Sequence, residues 1–131
     1  MPKAKTSKTK KTPKAKPKHK KLKIKPGKEV KPRCTGQTYS VKFGWWKDTP
    51  QNFSCINHTA RFALSRARRV QVRLGQNVTF VQIEMMTLLG RWVVVFQGKT
   101  NAKVPLNPGQ YRANCARRYD KSAISYISWK L

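Results

Sequence analysis

RFALSRARRVQVRLGQNVTFVQIEMM, residues 61–86, alternates apolar with polar or charged side chains: Phe62 and Leu64, then Val70, Val72 and Leu74, fall on every second position. That period puts one set of side chains on one face of an extended strand and the arginines on the other. Gln76-Asn77 is a turn signal leading into the next alternation, NVTFVQIEMM. Ala, Leu and Arg in RFALSRARR also favour helix, so that piece carries a helical alternative.

The same grammar continues on both sides. TYSVKFGWW (38–46), RWVVVFQ (91–97, after Gly90), KVPL (103–106), QYRANC (110–115) and SAISYISW (122–129) all read as short strands. Asn107-Pro108-Gly109 is a hairpin turn signal between KVPL and QYRANC. The expectation is a mainly β, compact antiparallel domain of six to eight short strands over residues 34–131. A sandwich, a jelly roll or a small barrel all fit the spacing.

Residues 1–33 obey different rules. They hold fourteen Lys and one Arg against a single acid, Glu29, with no aromatic before Tyr39. High charge, low hydrophobicity and Pro2, Pro13, Pro17, Pro26 and Pro32 predict a disordered Lys-rich arm. Lys10, Lys11, Lys14, Lys16, Lys18, Lys20 and Lys21 form its densest part, and KTPKAKPK (11–18) resembles the tails of linker histones in composition.

The full chain of 131 residues carries a formal charge of +26. Solubility alone asks for a net charge of about 2 to 8 in a small domain. The excess points to a polyanionic partner, nucleic acid above all, that relieves the self-repulsion. Membrane insertion is not expected: the longest apolar run, Trp92–Phe96, is too short to span a bilayer, and the arm has no amphipathic helical spacing. Nor is a secretory signal expected, since no apolar core follows the N-terminal charge.

Catalytic parts are sparse. Four acids, no glycine-rich phosphate loop and a His58 without catalytic context argue against an enzyme, and no cofactor is expected. Cys55-Ile-Asn-His58 has a zinc-like spacing that Cys34 and Cys115 would have to complete, but the second short pair of a structural zinc site is missing, so no metal is expected. The odd set of three cysteines reads as free thiols.

Basic residues interleaved with aromatics are the strongest functional signal. Arg61, Arg66, Arg68, Arg69 and Arg73 lie within thirteen residues, Trp45-Trp46-Lys47 and Arg91-Trp92 set indoles beside cations, and Arg117-Arg118 add a later basic pair. Arg offers a planar fork for phosphate and stacks on bases, whereas Lys is a point charge. Two modes of contact follow: sequence-blind attraction by the arm, and phosphate and stacking contacts by the body. Consecutive strand residues face opposite ways, so Trp45 and Trp46 cannot both enter one core.

RARR (66–69), RWVVVFQG (91–98), VPL (104–106) and YDKSAISYISW (119–129), with GWWKDTPQNF (44–53) before them, resemble in order the RNA-binding N-terminal domain of coronavirus and related nidovirus nucleocapsid proteins. The resemblance implies an antiparallel β core with a basic hairpin gripping genomic RNA, Arg66, Arg68 and Arg69 as hairpin phosphate contacts, and Arg91 as a platform cation. It also implies RNA rather than DNA as partner. This chain lacks that family's serine-rich linker and separate dimerisation domain, which leaves self-association into a homo-oligomer or particle to the β body.

A basic arm followed by a β domain is equally the plan of small icosahedral virus coat proteins, although the length of this body argues against a complete jelly roll. Both plans predict a genome-packaging protein of the virion and host-cell cytoplasm, with the arm also compatible with nuclear entry. A ribosomal protein with an RNA-threading tail and a chromatin-type DNA compactor are the alternatives.

Overall fold

The computed structural model describes residues 27–47 and 55–131, and every regular element among them is a strand. In chain order these are β1 (Lys28–Val30), β2 (Arg33–Thr35), β3 (Thr38–Lys47), β4 (Cys55–Leu64), β5 (Arg68–Leu74), β6 (Val78–Met86), β7 (Trp92–Gly98), β8 (Ala102–Leu106), β9 (Gly109–Arg117) and β10 (Ala123–Lys130). RFALSRARR is not helical: Arg61–Leu64 complete β4, and after the bend at Ser65–Arg66 the chain re-enters a strand at Arg68.

The eight long strands pair as a nest. β3 pairs with β10, β4 with β9, β5 with β8 and β6 with β7, all antiparallel. This nested ribbon is then rolled, so that β10 also pairs with β5, β9 with β6, and β3 with β4. The result is two four-stranded layers, β3-β10-β5-β8 and β7-β6-β9-β4, joined where β3 meets β4. A ribbon wound in this order is a complete jelly roll. The expectation that the chain is too short for one is corrected; from β4 to β10 the connections are only two to five residues, which leaves enough chain for eight strands.

Those corners also correct the reading of Asn107-Pro108-Gly109 as a hairpin. β8 pairs only with β5, while β9 pairs with β4 and β6, so the turn carries the chain from one layer to the other. Gln76-Asn77 does the same between β5 and β6, with Asn77 at φ 67°. Gly and Asn tolerate the left-handed backbone, and Pro presets the φ, that a sharp reversal needs, whether or not the flanking strands pair.

Period-2 alternation fills the space between the layers. Val70 and Val72 of β5, Val81 and Ile83 of β6, Phe43 of β3 and Ile127 of β10 have no exposed surface. Each such side chain contributes about 1.5–3 kcal/mol by leaving water. Phe62 of β4 touches Trp129 of β10 across the sandwich, with ring centroids 5.1 Å apart, and lies 5.3 Å from Tyr111 of β9.

The body begins before residue 34. β1 pairs in parallel with β4, and the Gly27 amide donates to Thr59 Oγ1, whose own hydroxyl donates to Asn114 Oδ1 at 2.7 Å in a buried pair. Gly27 is required there, because a Cβ would fall 1.9 Å from the Asn57 carbonyl oxygen. The arm expected over residues 1–33 therefore gives up its end to the sheet; residues 1–26, including Lys10, Lys11, Lys14, Lys16, Lys18, Lys20 and Lys21, lie outside the described residues.

Candidate nucleic-acid interface

Strand register decides which cations share a surface. On the outer side of the β3-β10-β5-β8 layer, Lys42, Tyr126 and Arg73 form one cross-strand row, and Ser40, Ser128, Gln71 and Lys103 form the next. Arg69 lies opposite Pro105 and Lys130 opposite Thr38. Directly opposed residues sit about 5 Å apart, so Lys42, Arg69, Arg73, Lys103 and Lys130 share one face with neutral polar side chains between them. A groove of about 550 Å³ runs over it, lined by Arg68, Arg69, Arg73, Lys103 and Lys130 with no acidic side chain. Tyr126 is 40% exposed beside it, with Lys42 Nζ 5.8 Å from its ring centre.

The opposite outer face is built differently. Arg112 Nε donates to Glu84 Oε1 at 2.6 Å, and Arg61 donates through Nη1 to Glu29 Oε2. The Trp92 ring lies against both guanidiniums, 4.5 Å from Arg112 Cζ and 5.1 Å from Arg61 Cζ. Near one end of the sandwich Arg117 spreads over Trp45 at 4.3 Å and bridges to Asp120 at 3.1 Å. All three acidic side chains among the described residues are thus matched to arginines, and none of them lines the groove.

The sequence-derived candidates therefore separate. Arg68, Arg69 and Arg73 come together in the groove, and exposed Arg66 flanks it in the bend before β5. Arg61 is engaged with Glu29 and Trp92 on the other face. Exposed Arg91 is in the turn of the β6–β7 hairpin beside Leu88 and Leu89, not on a sheet face; its amide donates to Thr87 Oγ1. Arg117 and exposed Arg118 lie at the end of β9, the latter's amide donating to the Asn77 carbonyl.

The two adjacent tryptophans part as their parity requires. Trp45 packs against the core and donates its Nε1–H to the Cys115 carbonyl at 3.0 Å. Trp46 points the other way, onto His58 at 4.4 Å. Lys103 and Lys130, which line the groove, and Lys42 and Tyr126, which share a row with Arg73, are residues of the candidate site that sequence reasoning missed. The alternation in YSVKF and in SYISWK marks them as outward-facing, but nothing local places them beside Arg73.

Chemistry at the thiols is limited. Burial pushes the Cys115 thiol up to about 11, which keeps it protonated as a small core residue. Cys34 is exposed, and both are free. Among the described residues no three His, Cys, Asp or Glu side chains gather as metal ligands, and no helix is long and apolar enough to cross a membrane. No protein-family model matches the chain, and no curated protein matches it.

Proposed function

We propose that this chain is a viral coat or nucleocapsid protein that binds genomic nucleic acid, RNA in preference to DNA, neutralises its charge and self-assembles around it in the virion and the host-cell cytoplasm. The observation that carries this reading is the acid-free groove of Arg68, Arg69, Arg73, Lys103 and Lys130 on the face of a jelly roll. Guanidinium and ammonium groups gathered along one groove attract phosphates and offer them charge-assisted hydrogen bonds. The resemblance of RARR, RWVVVFQG and YDKSAISYISW to nucleocapsid sequences supports RNA; the jelly-roll winding is shared with many viral shells and supports this by analogy of fold.

Self-association has support of its own. β7 (WVVVFQG) is the one described strand without an ionisable side chain, and it lies at a sheet edge with Val93 and Val95 each 40% exposed. Copies carrying +26 each repel wherever charge meets charge, so a neutral edge suits contact between them. The other edge, β8, is blunted by exposed Lys103 and Pro105.

Binding of random-sequence RNA across a salt series tests the reading, with light scattering and electron microscopy on the same samples. The expected result is a steep negative slope of log affinity against log salt and multimers or particles that form with RNA. A flat salt dependence overturns it, and a monomer bound to one structured RNA selects the ribosomal alternative.

A further inference from the structure

β3 and β4 pair only over Gly44–Lys47 and Cys55–His58, and then diverge. β1 takes the released edge of β4 at His58–Ala60, and β2 takes that of β3 at Thr38–Ser40. The gap between them is a cleft of about 360 Å³. Val41 lines it, and Lys31, Arg33 and Lys42 supply three cations with no carboxylate among the lining residues.

One wall is aromatic. Trp46 and His58 hold their rings 4.4 Å apart at an interplanar angle of 33°. Burial, and then the charge of Lys28, pull the His58 imidazole below its ordinary range, so at neutral pH it extends the indole as an uncharged ring. A wall of neutral π surface facing three cations, with no carboxylate among the lining residues, is matched to a ligand with a planar heterocycle and an anionic group. The volume is near the lower end for small-molecule sites, about 300 Å³ upward, which suits one nucleotide and not a stacked pair.

The cleft's place in the fold says what presents that nucleotide. Residues 28–30 of β1, where the Lys-rich segment joins the body, run along it. Lys42 lines it and also begins the row Lys42, Tyr126, Arg73 that leads onto the cationic groove. A strand following the cations from one to the other passes the cleft mouth.

We infer that this cleft takes one unstacked nucleobase of a single-stranded nucleic acid, its ring against Trp46 and its phosphate between Arg33 and Lys42, so that the protein prefers single strands to duplex. This rests on the nucleic-acid reading of the groove and adds to it a site where bases, not only phosphates, are felt. A base paired in a duplex is stacked on both sides and cannot enter.

The test uses the full chain and three labelled probes of equal length: a mixed-sequence single strand, the same phosphodiester backbone without bases, and the duplex. The wild type should bind the single strand roughly 5- to 100-fold more tightly than the base-free strand, the span expected for stacking of a base on an aromatic ring. Trp46→Ala should remove that advantage while leaving affinity for the base-free strand and its salt slope unchanged; Trp46→Phe should keep part of it. Arg33→Gln should weaken binding of both single-stranded probes. Equal wild-type affinity for the strands with and without bases, together with a steep salt slope, overturns the cleft and leaves the groove standing. A flat salt slope on the base-free strand overturns the nucleic-acid reading itself. Equal loss on both probes in Trp46→Ala shows Trp46 to be structural and also overturns the proposal.

Discussion

The two outer faces of the sandwich draw on the same residue type, arginine, and differ in what surrounds it. On the β7-β6-β9-β4 layer, Arg112 and Arg61 each meet a carboxylate and share the Trp92 ring, which settles them into the fold. On the β3-β10-β5-β8 layer, Arg69 and Arg73 stand with lysines and no acid, so their hydrogen-bonding forks remain directed at solvent or a ligand. Among the described residues the three acidic side chains thus separate the arginines paired with a carboxylate from those that stand among lysines.

The first way to break this contrast is Glu84→Ala. It strands Arg112, whose side chain is 21% exposed, and should destabilise the protein by about 2–3 kcal/mol in denaturant unfolding, less than for a fully buried pair because both partners keep some water. Affinity for RNA should stay within about twofold. A large loss of binding with stability intact would mean that the acid-paired face also contacts RNA.

Replacing Arg69, Arg73 and Lys103 together by Gln should do the reverse. Affinity for single-stranded RNA at low salt should fall roughly 10- to 100-fold and the salt slope become shallower by about three, one for each lost phosphate contact. The unfolding midpoint should move little, since none of these side chains is buried. An unchanged slope would remove the groove from the interface.

The smallest effect sharpens the boundary between the faces. His58 has its neutral form favoured in the fold, so the native state binds fewer protons than the unfolded chain below a pH of about 6.5. Stability should therefore decline as pH falls through that value, and His58→Gln should flatten that part of the profile. A profile that declines equally in the variant would assign the loss to other groups.

Much of the fold was legible, because β-strands announce themselves by period. TYSVKF, RWVVVFQ and SAISYISW read as strands and are strands, and parity alone foretold that Trp45 and Trp46 would separate. Pairing was not legible: the turn at Asn107-Pro108 carries the same residues whether it closes a hairpin or steps between layers. The candidate site divided in the same way. The cluster Arg66 to Arg73 is visible in the sequence, yet the neutralisation of Arg61 by Glu29 and the arrival of Lys42, Lys103 and Lys130 beside Arg73 depend on contacts tens of residues away.

The nested pairing also bears on how the molecule is made. Tyr39 of β3 faces Trp129 of β10, and β10 lies in the middle of its layer between β3 and β5, not at a rim. Closing so long a loop must precede the contacts that reward it, and β topologies of this kind fold in about milliseconds to seconds, not microseconds. During synthesis the β3-β10-β5-β8 layer cannot be completed until residue 130 has been added, and until then it stays open with its inner face wet. A ribosome pausing over the last strand would therefore hold an unfinished, adhesive and strongly cationic chain beside the messenger that encodes it.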